Sequence, residues 1–146
     1  MITSRPISPY LLLQEIYWPD LWKVMICCIF LNQTQRKQVD KIIVKFFEKW
    51  PSARDVEDED FEEMRDFIKP LGFYNRRAKT IIRFSKAIEE PWQHITDLPG
   101  IGKYAEDSFN IFFENAIIEN PSDHVLKDYM QWYINLQNSK SDNVQV

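Results

Sequence analysis

The stretch richest in chemistry is Leu98-Pro99-Gly100-Ile101-Gly102-Lys103-Tyr104-Ala105. Pro99 presets one backbone angle, while Gly100 and Gly102 allow positive φ and close approach of another molecule to the backbone. Beyond them Tyr104, Ala105, Phe109, Phe112 and Phe113 recur at helical spacing. A tight turn that opens onto a helix aims unpaired N–H groups, and the positive end of the helix dipole, at one point. Such a point binds anions, and phosphate is the natural occupant. Two glycines alone more often mark a plain helix linker, so the turn needs partners. One candidate is Asp123, in Asn120-Pro121-Ser122-Asp123-His124, 19 positions after Tyr104. Taken alone, Asp123 is a helix N-cap. A helix N-terminus also favours negative charge, so capping and chemistry can coexist there.

The elements that must position these residues are helical. A chain of 146 residues, 45% hydrophobic and 14% aromatic, fits one domain with a real core. Tyr10–Tyr17 suits a short helix, and Asp20 caps a second, nearly all-apolar one from Leu21 to Leu31 that stops near Asn32-Gln33-Thr34. Arg36–Trp50 is amphipathic and ends at Pro51. Phe61, Met64, Phe67 and Ile68 give the next helix its stripe, Pro70-Leu71-Gly72 breaks it, and Asn75–Ile88 follows. A short helix near Pro91–Ile95 precedes the turn, whose helix runs to about Ile118, and Asp123–Leu136 ends the fold. No β alternation occurs, so the architecture is all-α, with eight or nine helices. Residues 1–8 read as an N-terminal arm, 9–137 as the folded domain and 138–146 as a flexible tail.

The formal charge of −4 argues against a uniformly basic surface. Residues 54–66 hold eight acids against two arginines, whereas residues 69–104 hold seven bases against three acids. A one-sided basic footprint is therefore compatible with phosphate contacts. The acidic run reads as a solvated face. Cys27 and Cys28 are adjacent within an apolar run and read as small core residues in a reducing compartment. His94 and His124 are too few for a metal cluster. No apolar run approaches the roughly 18 residues a membrane span needs, and no signal peptide is visible.

L-P-G-I-G-K resembles the helix-hairpin-helix element, the DNA-backbone grip of the endonuclease III superfamily of DNA glycosylases. That superfamily places an aspartate downstream at the head of another helix, as Asp123 stands here. A narrower likeness is carried by Ser8-Pro9-Tyr10 through Gln14-Glu15, Trp22-Lys23, Ile29-Phe30-Leu31-Asn32, Lys69-Pro70-Leu71-Gly72, Arg77-Ala78-Lys79-Thr80-Ile81, Gly102-Lys103-Tyr104 and Asp123-His124. In that order they resemble the glycosylase domain of the methyl-CpG-binding domain protein 4 family, from about Ser8 to Leu136.

The resemblance implies two helical subdomains around a cleft, with the hairpin and the aspartate at its mouth. It implies a glycosylase in base excision repair that removes thymine or uracil mismatched with guanine. Asp123 would stabilise the positive charge that develops on deoxyribose as the N-glycosidic bond breaks. Strand-cutting relatives carry a lysine nucleophile where this chain has Tyr104, and a phenol forms no Schiff base. The implied enzyme is monofunctional, with Tyr104 and Gln14 lining a base pocket. Leu98, Gly100, Gly102 and Lys103 would grip the phosphate backbone. Extruding a base from a duplex requires something to fill the gap. The family uses an arginine after Leu-Asn and an apolar residue between Gly and Tyr, and Gln33 and Phe73 stand at those places. A lysine of the family near the aspartate is replaced by Val125. Double-stranded DNA is the implied partner, the nucleus the implied location and a monomer the implied state. No cofactor is expected, since no cysteine near the C-terminus could hold an iron–sulfur cluster; a monovalent cation at the hairpin is compatible with the superfamily. The competing readings are a non-catalytic helix-hairpin-helix DNA-binding module and a protein-interaction domain using the acidic 54–66 face.

Overall fold

The apolar run Leu21–Leu31 forms the helix on which the rest of the molecule is laid, with Trp22 and Val24 to Phe30 all buried. Asp20 caps it, accepting from the Lys23 amide at 2.9 Å. The computed structural model describes residues 4–144, and among them all regular structure is helical. The helices are α1 (Leu13–Tyr17), α2 (Leu21–Leu31), α3 (Arg36–Asp40), α4 (Ile43–Lys49), α5 (Phe61–Ile68), α6 (Tyr74–Glu89), α7 (Lys103–Phe112) and α8 (His124–Val144). Short 3₁₀ turns lie at Ala53–Asp55, Asp58–Asp60, Lys69–Leu71 and Ile95–Asp97. None of the helices is long and apolar enough to cross a membrane.

Two cores result. The larger gathers α2, α4, α5 and α6 around Phe30, Phe46, Met64, Ile68, Ile81 and Phe84, all fully buried. The rings of Phe30 and Phe46 meet edge to face at 5.1 Å, the favoured arrangement for aromatic pairs. The smaller core joins the far end of α7 to α8 through Ile111, Phe112, Leu126, Tyr129 and Met130, with Leu12. Helix α7 bridges the two, as do Leu12 and Leu13 at the start of α1, Leu13 and Ala105 facing the larger core. This is the all-α architecture read from the sequence, in the two subdomains that the resemblance implies.

The arm is tied down along α7 and α8. Arg5 donates to the Ile111 carbonyl at 3.1 Å and to the Tyr129 hydroxyl at 3.2 Å. Its guanidinium also lies 5.0 Å from the ring centres of both Phe112 and Tyr133. Ser8 donates through its amide and hydroxyl to Glu15, at 2.7 and 2.6 Å.

Several boundaries differ from the periodicity. The first helix starts at Leu13, because Leu11 is left-handed at φ 46°. Arg36–Trp50 is two helices, parting where β-branched Ile42-Ile43-Val44 lowers helix propensity and Ile42 takes φ −122°. Pro91–Ile95 is not helical; the 3₁₀ turn begins at Ile95. Helix α7 stops at Phe112 rather than near Ile118, since Asn115 turns left-handed at φ 53° and the Glu114 amide folds back to the Phe109 carbonyl. Helix α8 continues past Leu136 to Val144. The acidic face is partly paired, with Glu63 receiving Lys49 at 2.5 Å and Asp58 receiving Lys86. Lys86 therefore belongs to that face, and the basic footprint contracts towards the start of α6.

Candidate active site

A cleft of about 610 Å³ opens where the two cores meet. Its wall brings together four residues expected from the sequence, Gln14 from α1, Gln33 from the turn after α2, Tyr104 from α7 and Asp123 at the head of α8, with Arg36 of α3 beside them. Asp123 caps α8 through one oxygen, Oδ2, which accepts from the Val125 and Leu126 amides, both at 3.0 Å. Among the described residues nothing donates to Oδ1, which leaves that oxygen for a ligand. Val125 and His124 also line the cleft, so an apolar side chain stands where the resembled family has a lysine.

Gln14 is buried, and its Nε2 donates to the Tyr104 hydroxyl at 2.7 Å and to Ser108 Oγ at 3.2 Å. Both amide hydrogens are thus engaged, and Oε1 is the atom left for a base edge. Burial pushes the Tyr104 phenol far above its ordinary range, so it remains a neutral hydroxyl. Behind it the Cys28 thiol is pushed up to about 12, chiefly by burial.

The hairpin glycines differ from each other. Gly100 is left-handed at φ 82°, and a Cβ there would lie 2.4 Å from Thr80 Cγ2. Gly102 does not use positive φ; it is extended at φ −97°, and a Cβ would meet nothing within 4 Å. Its bareness instead leaves the start of α7, which no side chain caps, open to an approaching molecule. Leu98 does not face outwards as a grip residue would, because its side chain is buried in the larger core. Lys103, expected to point towards phosphate, donates its ammonium to Asp107 Oδ1 at 2.6 Å, which raises its affinity for the proton.

Asp107 is the residue that sequence reasoning missed. It is fully buried, and Oδ2 accepts from the Ser122 amide at 3.2 Å. One carboxylate therefore ties the hairpin helix to the loop that presents Asp123. The signal was available: Lys103 and Asp107 stand at i,i+4, and Asp107 interrupts a stripe of apolar positions.

Beside the cleft lies a second hollow of about 290 Å³, lined by Ile29, Asn32, Gln33, Phe73, Arg76, Arg77, Thr80 and Gly100. Gln33 and Phe73 flank it, both at positive φ, 63° and 48°. Phe73 is 53% exposed, so it does not fold back into the core. The hollow touches both the hairpin and the cleft, through Gly100 and Gln33.

Residues 26–144 match the family model described as HhH-GPD superfamily base excision DNA repair protein. The chain belongs to that superfamily. It is 39% identical over 129 residues to the methyl-CpG-binding domain protein 4-like protein of Arabidopsis thaliana, covering 87% of this chain and 29% of that protein. It is 32% identical to the thymine/uracil-DNA glycosylase of Pyrobaculum aerophilum, covering 59% of this chain and 41% of the relative. The thymine-DNA glycosylase of Aeropyrum pernix is 28% identical, with 58% and 42% covered. The chain thus spans less than half the length of these relatives. As a member of the HhH-GPD superfamily it carries the helix-hairpin-helix and the downstream aspartate, and its cleft lies beside both. The superfamily model begins within α2, so Gln14 lies outside the matched residues.

Proposed function

We propose that this chain is the catalytic domain of a monofunctional DNA glycosylase that hydrolyses the bond between deoxyribose and thymine or uracil paired with guanine. The observation that carries the proposal is the Asp123 carboxylate on a cleft shared with Gln14 and Tyr104, its Oδ2 held by the amides of α8 and its Oδ1 without a donor among the described residues. The relatives named for thymine and uracil suggest the base.

The chemistry follows from that carboxylate. As the C1′–N bond breaks, its electron pair leaves with the base and positive charge spreads over the sugar. Asp123 stabilises that charge and takes a proton from the attacking water, whose oxygen bonds to C1′. The departing base takes up a proton from solvent, Asp123 returns its own to solvent, and an abasic sugar remains. No electron is exchanged, so the reaction needs no redox cofactor. Tyr104 offers no amine to the sugar, so the strand stays intact. Gln14 Oε1 meets the extruded base, whose ring N–H can donate to it.

Double-stranded DNA docks by its phosphates on the uncapped start of α7, while Phe73 and Gln33 enter the gap left by the base. A monomer suffices, because one chain supplies both the hairpin and the carboxylate, and a DNA substrate is compatible with a nuclear location. The test is incubation with duplexes carrying G·T, G·U, oxidised or alkylated bases, followed by alkali. Cleavage only after alkali, and only for G·T and G·U, is expected. Binding without release from any duplex would reduce the chain to a DNA grip. A borohydride-trapped protein–DNA adduct would overturn monofunctionality.

A further inference from the structure

Arg77 is, among the described residues, the only buried arginine, 6% exposed. None of its hydrogen-bond acceptors is a carboxylate. Nη1 donates to the Leu71 carbonyl at 3.0 Å and the Gly72 carbonyl at 3.3 Å. Nη2 donates to the Asn32 carbonyl and to Thr34 Oγ1. A buried cation with only neutral partners is costly to desolvate. The arrangement of those partners gives it a purpose.

Asn32 and Thr34 bracket Gln33, and Leu71 and Gly72 lead into Phe73. The four acceptors therefore come from two turns 40 residues apart in sequence, each holding one exposed residue at positive φ. Such conformations persist only where the surroundings over-determine them. Arg77 does so for both at once, and its guanidinium also lies 5.6 Å from the centre of the Phe73 ring. Its planar fork can reach both turns, which a single ammonium head cannot.

We propose that Arg77 is a positioning residue that couples Gln33 and Phe73 into one two-pronged wedge, so that both enter the base stack in a single event. The proposal rests on the glycosylase reading, and its test separates the two. Extrusion is followed by stopped-flow fluorescence of 2-aminopurine beside a G·T or G·U mismatch, and base release by chemical quench under single turnover. Arg77→Lys should slow extrusion about a hundredfold, as expected for small misplacement of a positioned group, while release from the extruded state keeps its rate. In free Arg77→Lys, amide hydrogen exchange should rise together at residues 33–34 and 72–74 and stay unchanged in the middle of α6. In otherwise unchanged protein, Gln33→Ala and Phe73→Ala combined should slow extrusion no more than the worse single change.

Additive losses in that cycle, exchange rising in one turn only, or equal slowing of extrusion and of release from the extruded state would overturn the coupling. If Arg77→Lys fails to fold, the Gln33/Phe73 cycle decides alone. If the wild-type protein extrudes and releases nothing, the glycosylase reading fails, and hydrogen exchange still decides whether Arg77 joins the two turns.

Discussion

With Oδ2 of Asp123 held by two amides at 3.0 Å, Asp123→Asn should leave the cap almost intact, because asparagine caps as well as aspartate. Its effect should fall on chemistry instead. Single-turnover base release is expected to drop by at least 10²–10³, roughly the loss seen when one preorganised charge-stabilising group is removed. Binding to mismatched duplex should survive, and near-normal release would refute the assignment. Asp107 works at one remove. Asp107→Ala leaves the Ser122 amide without its acceptor and should cost about 1–3 kcal/mol by urea unfolding. It should also lower release by about tenfold through misplacement of Asp123, while Asp107→Asn, which keeps an acceptor, restores most of the rate. Asp123 was legible because a motif upstream pointed to it. Asp107 was not read although it interrupts an apolar stripe, because its i,i+4 spacing to Lys103 fits an exposed ion pair equally well until the helix has been placed.

At the scale of elements, the two hairpin glycines separate folding from binding. Gly100→Ala forces a side chain into the left-handed region and against Thr80. It should therefore cost at least 1–2 kcal/mol of stability, read by thermal unfolding without DNA. Gly102→Val meets open space at an ordinary backbone angle. It should fold normally and weaken binding to matched and mismatched duplexes alike, because backbone phosphate contacts carry no sequence information. Loss confined to mismatched DNA would contradict the grip. The glycine pair was legible as a turn from its sequence, but which of the two needs positive φ was not, since that depends on Thr80 and Ile29 packed behind it. Apolar period likewise revealed the helices and not their ends. The stops at Lys41 and Phe112 depend on local propensity and on Asn115 turning over, which leave little trace in a hydrophobic pattern.

For the whole molecule, the buried thiol behind the cleft sets an alkaline limit. Cys28 holds its proton up to about 12, against 9.0 when exposed. The folded state thus binds that proton more tightly than the unfolded one, so this contribution is complete below pH 9. It is lost progressively as pH rises from 9 towards 12. Tyr104 adds to the same slope at higher pH. Urea unfolding at pH 8 and pH 10.5 should show the fall, and Cys28→Ala should reduce it; a flat profile would refute the burial. The smaller core has a different consequence. Leu12 packs with residues 111–130, and Arg5 reaches Tyr129 across 124 positions of chain. During synthesis, then, the larger core can collapse while the ribosome is still making α8, but the seam that seats Asp123 cannot close until both ends have emerged. On the proposed glycosylase reading catalytic competence would arrive last, since a nascent chain with a finished larger core has not yet seated Asp123.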